Sequence, residues 1–145
     1  MDRKQKIGSV LFIAVLIGYF IFQHSLKTTY QEVMSQFLGE DEMVESITVS
    51  TNLPLLSQTA TTTINNQDLI NSLLKQEIKL KRVIGTKQMV FDHTLLIQTK
   101  ETTYTIGFDL DTIAIGDSEY YIAENFWNPI YILILDEDLE WEIGQ

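Results

Sequence analysis

The chain has 145 residues, a formal net charge of −10 and no cysteine. A strongly acidic protein repels polyanions, so the composition argues against nucleic acid and anionic lipid headgroups as ligands. Without cysteine there are no disulfide bonds and no lipoprotein processing, so a folded domain must depend on its hydrophobic core. Nineteen of the 20 acidic residues, but only seven of the ten basic ones, lie from Ser25 onward, which gives this part a net charge of −12.

The first predicted element is an apolar helix in the stretch KIGSVLFIAVLIGYFIFQHS. Its sixteen residues from Ile7 to Phe22 carry no charge. At ~1.5 Å per residue they cover about 24 Å of an apolar bilayer core ~30 Å thick. This length is short for a spanning helix and long for the apolar region of a signal peptide, so the flanks must decide. The basic residues Arg3, Lys4 and Lys6 precede the run, which predicts a cytoplasmic N-terminus and an acidic remainder across the membrane.

No pair of small residues suited to signal-peptide cleavage lies beyond the apolar run. The sequence therefore predicts an uncleaved single-pass anchor over residues 7–26, whose flanking Lys6 and Lys27 extend to the two membrane surfaces. A cleaved secreted protein and a helix buried in a soluble core are the alternatives. The predicted divisions are a cytoplasmic N-terminus (1–6), the anchor (7–26), a juxtamembrane helix with an acidic linker (27–43) and an extracytoplasmic domain (44–145).

Three further helices are predicted from caps and apolar periodicity. In TTYQEVMSQFLG, Thr29 and Glu32 have the spacing of a capping box, and Gly39 is suited to end the helix. The stretch NNQDLINSLLKQ begins with asparagine caps and carries an apolar stripe. Asn128 and Pro129 favour a helix start in NPIYILILDEDLEWE, although its alternating isoleucines leave a strand open.

Seven strands are predicted, most of them from alternating apolar residues. They are 44–51, 60–64, EIKLKRVI, QMVFDHTLLIQT, TTYTIGFD, DTIAIG and EYYIAE. Short turns join the last four into two hairpins. This order of elements predicts an α+β fold, in which a transmembrane helix precedes a small domain with one antiparallel β-sheet packed by one or two helices.

The alternation also assigns side chains to the two faces of the sheet. In strand 44–51 it places Ile47 and Val49 on one side and Val44, Ser46 and Thr48 on the other. Strand 60–64 is polar and is predicted at an edge. In QMVFDHTLLIQT one face is predicted to hold Met89, Phe91, His93, Leu95 and Ile97.

One histidine and one group of carboxylates are candidates for a catalytic or ligand-binding role. His93 lies among apolar residues and has two interpretations, a pH-sensitive or catalytic group and a hydrogen-bonded histidine at the border of the core. The second is favoured because no nucleophile can be paired with it. Four carboxylates of DLDTIAIGDSE are weak calcium candidates: Asp109, Asp111, Asp117 and Glu119. The run lacks the ligand and glycine spacing of an EF-hand, so ordinary turn residues are the preferred interpretation.

Basic and aromatic residues are the candidates for interaction with a partner. Lys79, Lys81 and Arg82 concentrate positive charge in an acidic domain and could contact an anionic polymer or an acidic protein. Trp127 and Trp141 could anchor a protein interface. The alternatives are an ordinary solvated surface for the cations and core packing for the tryptophans.

No hydrolase, metalloprotease, P-loop or dinucleotide motif occurs in the sequence. We therefore expect a non-enzymatic protein without a cofactor. Its function would be to present a small extracytoplasmic domain from the cell membrane to a protein or an envelope polymer, and nucleic acid is not expected as a partner. The alternative is an extracytoplasmic module that senses a ligand or cation.

The layout, together with the stretches SITVST, TINNQDLINSLL and GDSEYYIAE, resembles small uncharacterised single-pass membrane-anchored proteins of Bacillus-like Gram-positive bacteria. This resemblance extends over most of the chain. It implies a cell-membrane location and the architecture described above, and it implies no activity or functional residues.

Overall fold

The computed structural model describes residues 3–39, 41–53, 55–85, 90–124 and 128–144, with side chains from Ile7 onward. Its helices are α1 (Arg3–Ser25), α2 (Tyr30–Leu38), α3 (Gln67–Leu74) and α4 (Pro129–Asp136). Its strands are β1 (Lys27–Thr29), β2 (Val44–Leu53), β3 (Gln58–Ile64), β4 (Lys79–Arg82), β5 (His93–Thr99), β6 (Thr103–Phe108), β7 (Thr112–Ile115), β8 (Ser118–Ile122) and β9 (Glu142–Gly144).

The described strands form one antiparallel sheet in the order β1-β4-β8-β7-β6-β5-β2-β3-β9. Both edge strands, β1 and β9, have three residues. Short edges limit the unpaired backbone that a sheet offers to other chains. The predicted antiparallel sheet is confirmed, and its seven predicted strands occur in the predicted order.

One face of this sheet is covered, and we call it the covered face. Buried apolar side chains of the central strands, among them Ile47, Leu95 and Ile106, pack there in one cluster. Helices α2, α3 and α4 contribute to the same cluster through residues such as Leu73 and Ile130. In the described part of the chain, three helices therefore pack on the domain, whereas one or two were predicted.

The helix starts follow the predicted caps. The Thr29 hydroxyl accepts a hydrogen bond from the Glu32 N–H at 3.2 Å, and the Glu32 carboxylate accepts one from the Thr29 N–H at 3.1 Å. This reciprocal pair is a capping box. Asn66 and Asn128 cap α3 and α4, and Pro129 occupies the first turn of α4. The helical interpretation of the C-terminal segment is confirmed up to Asp136.

Three face and edge assignments were wrong. A β-bulge between Val44 and Ser46 turns Val44 into the core, where it is 7 % exposed, because the extra residue reverses the alternation. β5 begins only at His93, and Phe91 lies on the opposite face, against Gly107. β3 is not an edge strand, since the short β9 pairs with it. Met89, also assigned to a face, lies outside the described residues.

The segment after the apolar helix belongs to the packed domain, although its sequence predicted a juxtamembrane helix and linker over 27–43. β1 pairs with β4, and the Tyr30 N–H donates to the Ile78 carbonyl at 2.8 Å. Tyr30, Met34 and Leu38 of α2 are buried in the core cluster. The folded unit therefore includes residues from Lys27 onward.

Candidate functional site

Helix α1 presents apolar side chains on every side. All residues from Ile7 to Phe22 are exposed, and the stretch Ile7–Ser25 is long and apolar enough to cross a membrane. A helix that is apolar all round is stable in a low-dielectric environment and not as a surface helix in water. The structure thus contains one N-terminal helix whose composition and exposure suit a membrane span.

The end of α1 joins the sheet without a flexible linker. Ser25 closes the helix by donating its hydroxyl to the Phe22 carbonyl at 2.7 Å. Leu26 is buried, and β1 begins at the next residue, Lys27. Because β1 is hydrogen-bonded to β4, the helix is coupled directly to the edge of the folded domain.

The pairing of β1 with β4 places three basic residues near the end of α1. Lys27 of β1 is the register partner of Lys81 on β4, and paired residues in an antiparallel ladder have Cα atoms about 5 Å apart. The Arg82 N–H donates to the Leu26 carbonyl at 2.9 Å. We call Lys27, Lys81 and Arg82 the junction cations. All three are exposed, so the sheet register collects positive charge at the end of α1.

An open groove of about 1020 Å³ lies beside the junction cations. Its lining includes Phe22 and Leu26 from the chain around the end of α1, Arg82 and Ile84 from the end of β4, and Asp117 and Glu119 from the β7–β8 hairpin. The groove is therefore mixed in character, with apolar side chains and charges of both signs. Ile84 is 63 % exposed, which leaves an apolar side chain at the rim.

Of the other predicted interaction residues, Lys79 lies in the same β1–β4 ladder, opposite Thr29, and Trp141 lies far from it. Lys79 forms an exposed ion pair with Glu124, with 2.6 Å between Nζ and Oε2. Trp141 is 37 % exposed and directly precedes β9, at the opposite edge of the sheet. Trp127 lies outside the described residues. Sequence reasoning grouped Lys79 with Lys81 correctly on the outward side of β4, but it did not find the partnership of Lys81 with Lys27, since pairing across 54 residues leaves no local signal.

His93 occupies the border of the covered face. Its Nδ1 lies 3.1 Å from the Thr51 hydroxyl, and its ring is 5.2 Å from that of Phe108 and 4.9 Å from that of Tyr131. Partial burial lowers the pKa of His93, and the nearby negative charges of Asp109 and Asp92 oppose that shift. The arrangement is that of a hydrogen-bonded histidine packed between aromatic rings, which fits the favoured interpretation.

Of the two carboxylates that act on the pKa of His93, Asp109 has the larger effect. It accepts a hydrogen bond from the Asp92 N–H at 3.1 Å, and its own carbonyl accepts one from the Asn128 side chain at 3.0 Å. Desolvation raises the pKa of Asp109, while the hydrogen bond from Asp92 acts against the shift. Asp109 therefore fixes the approach of the chain into α4, which is a structural role.

The four calcium candidates do not assemble into a cation site. Asp109 directly follows β6, Asp111 lies in the same turn, Asp117 lies in the β7–β8 hairpin and Glu119 lies on β8. Among the described residues there is no group of three or more His, Cys, Asp or Glu that could hold a metal ion. Calcium binding in proteins takes six to eight oxygen ligands, so separated carboxylates of this kind do not form a site.

Comparisons of the chain with protein-family models, with curated protein sequences and with solved structures gave no match.

Proposed function

We propose that the protein is a non-enzymatic, single-pass membrane protein whose N-terminus is cytoplasmic and whose β-sheet domain lies outside the membrane, where it contacts a protein or a polymer of the cell envelope. The single observation that carries this proposal is the exposed apolar surface of α1, which continues directly into an edge strand of a folded domain. Burial in lipid would remove that surface from water, and no other part of the described chain covers it.

The charges on both sides of α1 support the orientation. Arg3, Lys4 and Lys6 precede the apolar stretch, and the part from Ser25 onward has a net charge of −12. Positive residues are retained on the cytoplasmic side of a span, whereas an acidic domain can cross. With α1 in the bilayer, the junction cations would lie at the level of the lipid phosphates on the far side, although the domain as a whole is acidic.

The absence of cysteine from the sequence permits a direct test of this topology. Leu55→Cys places a thiol on the β2–β3 hairpin, where the wild-type side chain is 98 % exposed. The matched variant Asp2→Cys places one before the apolar helix. We expect a membrane-impermeant maleimide to label Leu55→Cys in intact cells and Asp2→Cys only after lysis.

Two results would overturn the proposed topology. The first is labelling of Asp2→Cys, but not of Leu55→Cys, in intact cells. The second is a mature chain that lacks residues 1–25 and accumulates in the medium, which would mean that the apolar helix is a cleaved signal. The N-terminal residue of the membrane-bound protein, determined by mass spectrometry, separates these cases.

A further inference from the structure

The face of the sheet opposite the helices has an unusual composition, and we call its part on β6, β5, β2 and β3 the open face. The strand registers place thirteen alternating residues there. They are Ser46, Thr48, Ser50, Asn52, Thr59, Thr61, Thr63, Thr94, Leu96, Gln98, Thr103, Thr105 and Gly107. Nine of these thirteen side chains are hydroxyls and two are amides, and each of the thirteen residues is exposed or half-buried.

None of these thirteen residues is charged. This contrasts with a chain in which 21 % of residues are charged. It also contrasts with the strands on either side, because Glu142 of β9 is the register partner of Thr61, and Glu119 lies on β8, two strands from β6. Solvent-facing strands ordinarily use opposite charges as cross-strand pairs and for solubility. Threonine suits a strand because it is β-branched, but strand preference alone does not require serine, asparagine and glutamine in place of lysine and glutamate.

The open face forms a regular array of donors and acceptors. Neighbouring strands lie about 4.8 Å apart, and successive residues on one face of a strand lie about 6.8 Å apart. Some hydroxyls pair across strands, as do Thr48 and Thr63 with 3.2 Å between their oxygens. A hydroxyl both donates and accepts, so one used in such a pair can still bond to a ligand.

An aromatic ring borders this array. The side chain of Phe91 lies over Gly107, so closely that a Cβ at position 107 would come within 2.6 Å of the ring. Glycine therefore allows the ring to lie on the sheet at the end of the open face where β5 begins. Leu96 adds an apolar side chain near the middle of the array.

We infer that the open face binds a neutral, polyhydroxylated polymer of the cell envelope, that is, a glycan strand. The hydroxyls along a glycan strand likewise both donate and accept hydrogen bonds, and the C–H faces of its sugar rings can pack on the ring of Phe91. This inference rests on the proposed function for access to the envelope, and it specifies the partner.

The charges and composition favour this partner over others. The open face has no cation that could neutralise a phosphate, and the net charge of −12 repels polyanions. Protein interfaces are depleted in serine, and their strongest contacts come from Trp, Tyr and Arg, which the open face lacks. A second copy of the chain would have to bury nine hydroxyls against nine others, with little apolar area gained.

The test is co-sedimentation of the purified full chain, in detergent, with insoluble chitin, cellulose and mannan, and with cross-linked, insoluble carboxymethyl cellulose as the anionic comparator. We expect binding to at least one neutral polymer and at least tenfold weaker binding to the carboxymethyl cellulose. Binding in a purified system does not depend on orientation in the cell, so its failure is distinguishable from a failure of the maleimide experiment.

Two double variants identify the surface. Thr63→Val with Thr105→Val removes two exposed hydroxyls and keeps the β-branched shape, and we expect about tenfold weaker binding. Thr63→Glu with Thr105→Glu introduces charge, and we expect a larger loss. The matched control Gln31→Glu with Asn71→Glu adds the same charge to exposed positions on α2 and α3, on the other side of the sheet, and should bind as the wild type does.

Three results would overturn the inference. They are no binding of the wild-type chain to any of the three neutral polymers, unchanged binding by the glutamate variant at positions 63 and 105, and a wild-type dimer that this variant converts to a monomer. The last result would assign the open face to a second copy of the chain. Circular dichroism of each variant verifies that the sheet is intact, and the valine variant retains the test if the glutamates unfold it.

Discussion

The two faces of the sheet come from the same strands, yet they differ in nearly every property. In β3, Thr62 is buried on the covered face with 5 % exposure, while its neighbour Thr63 is exposed on the open face. At this pair residue type does not distinguish the faces, because threonine suits a strand on either side. Over the sheet as a whole the covered face is apolar and the open face is rich in hydroxyls. Three helices of the described chain cover the apolar face, so that stability is concentrated there and the other face is available for contact.

The largest expected effect tests where the stability lies. Ile97 is fully buried in β5, and Ile97→Ala should lower the free energy of unfolding by about 3 kcal/mol, because it removes buried methyl groups and leaves a cavity. The matched change Thr105→Ala, on the open face of the adjacent strand, should cost no more than about 1 kcal/mol. Urea unfolding of the full chain in detergent measures both. Equal losses would mean that the open face is also packed.

A smaller effect is expected from a buried hydroxyl on the covered face. Tyr30 of α2 is fully buried, its pKa is raised by desolvation, and its hydroxyl has no hydrogen-bond partner among the described residues. Tyr30→Phe should therefore raise the free energy of unfolding by about 1 kcal/mol. Tyr104→Phe is the control, because the Tyr104 hydroxyl donates to the Glu42 carboxylate at 2.6 Å and its loss should bring no gain. A destabilised Tyr30→Phe would reveal a partner for the hydroxyl.

The smallest expected effect is a pH dependence of stability that comes from His93, at the border of the covered face. The folded-state pKa of His93 is lowered, so the unfolded chain binds the proton more readily. This difference in proton binding contributes to the stability of the folded state above the ordinary histidine pKa of about 6.5. The contribution is lost as the pH falls through the lower folded-state pKa of His93. Asp109 has the opposite effect on the pH dependence of stability: its pKa is raised in the folded state, so its contribution to stability decreases as the pH rises.

His93→Gln should remove the decrease in stability that begins near pH 6.5, whereas His24→Gln, which replaces the other histidine, should keep it. Thermal unfolding between pH 8 and pH 5 measures the slope. The half-exposed position of His93 keeps the effect below those of the two core variants. An unchanged slope in His93→Gln would assign the pH dependence to the carboxylates.

Local patterns predicted the elements well where they are long or capped. The capping box of Thr29 and Glu32, the asparagine caps of α3 and α4, and the alternation of β5 and β6 all depend on neighbours within a few residues. β1 and β9 were missed because three residues are too few to show a period, and both strands exist only through pairing with distant partners. The face of Val44 was wrong because a bulge is a property of two paired strands.

The candidate sites were predicted less completely for the same reason. The sequence identified Lys81 and Arg82 as a basic concentration, but their position beside Leu26 and Lys27 depends on the pairing of β1 with β4. The alternating threonines of β3 and β6 are visible in the sequence. That they share one uncharged face with β2 and β5 depends on the strand order.

The sequence by itself determined the apolar helix, the acidic charge of the domain beyond it, the helix caps and the antiparallel strands, since all of these depend on composition or on contacts between near neighbours. Only the tertiary structure decided which strands are adjacent, which face the helices cover and which basic residues lie near the end of α1. Strand pairing and helix packing join residues far apart in the chain, and these choices are set by burying the most apolar surface at once rather than by any local pattern.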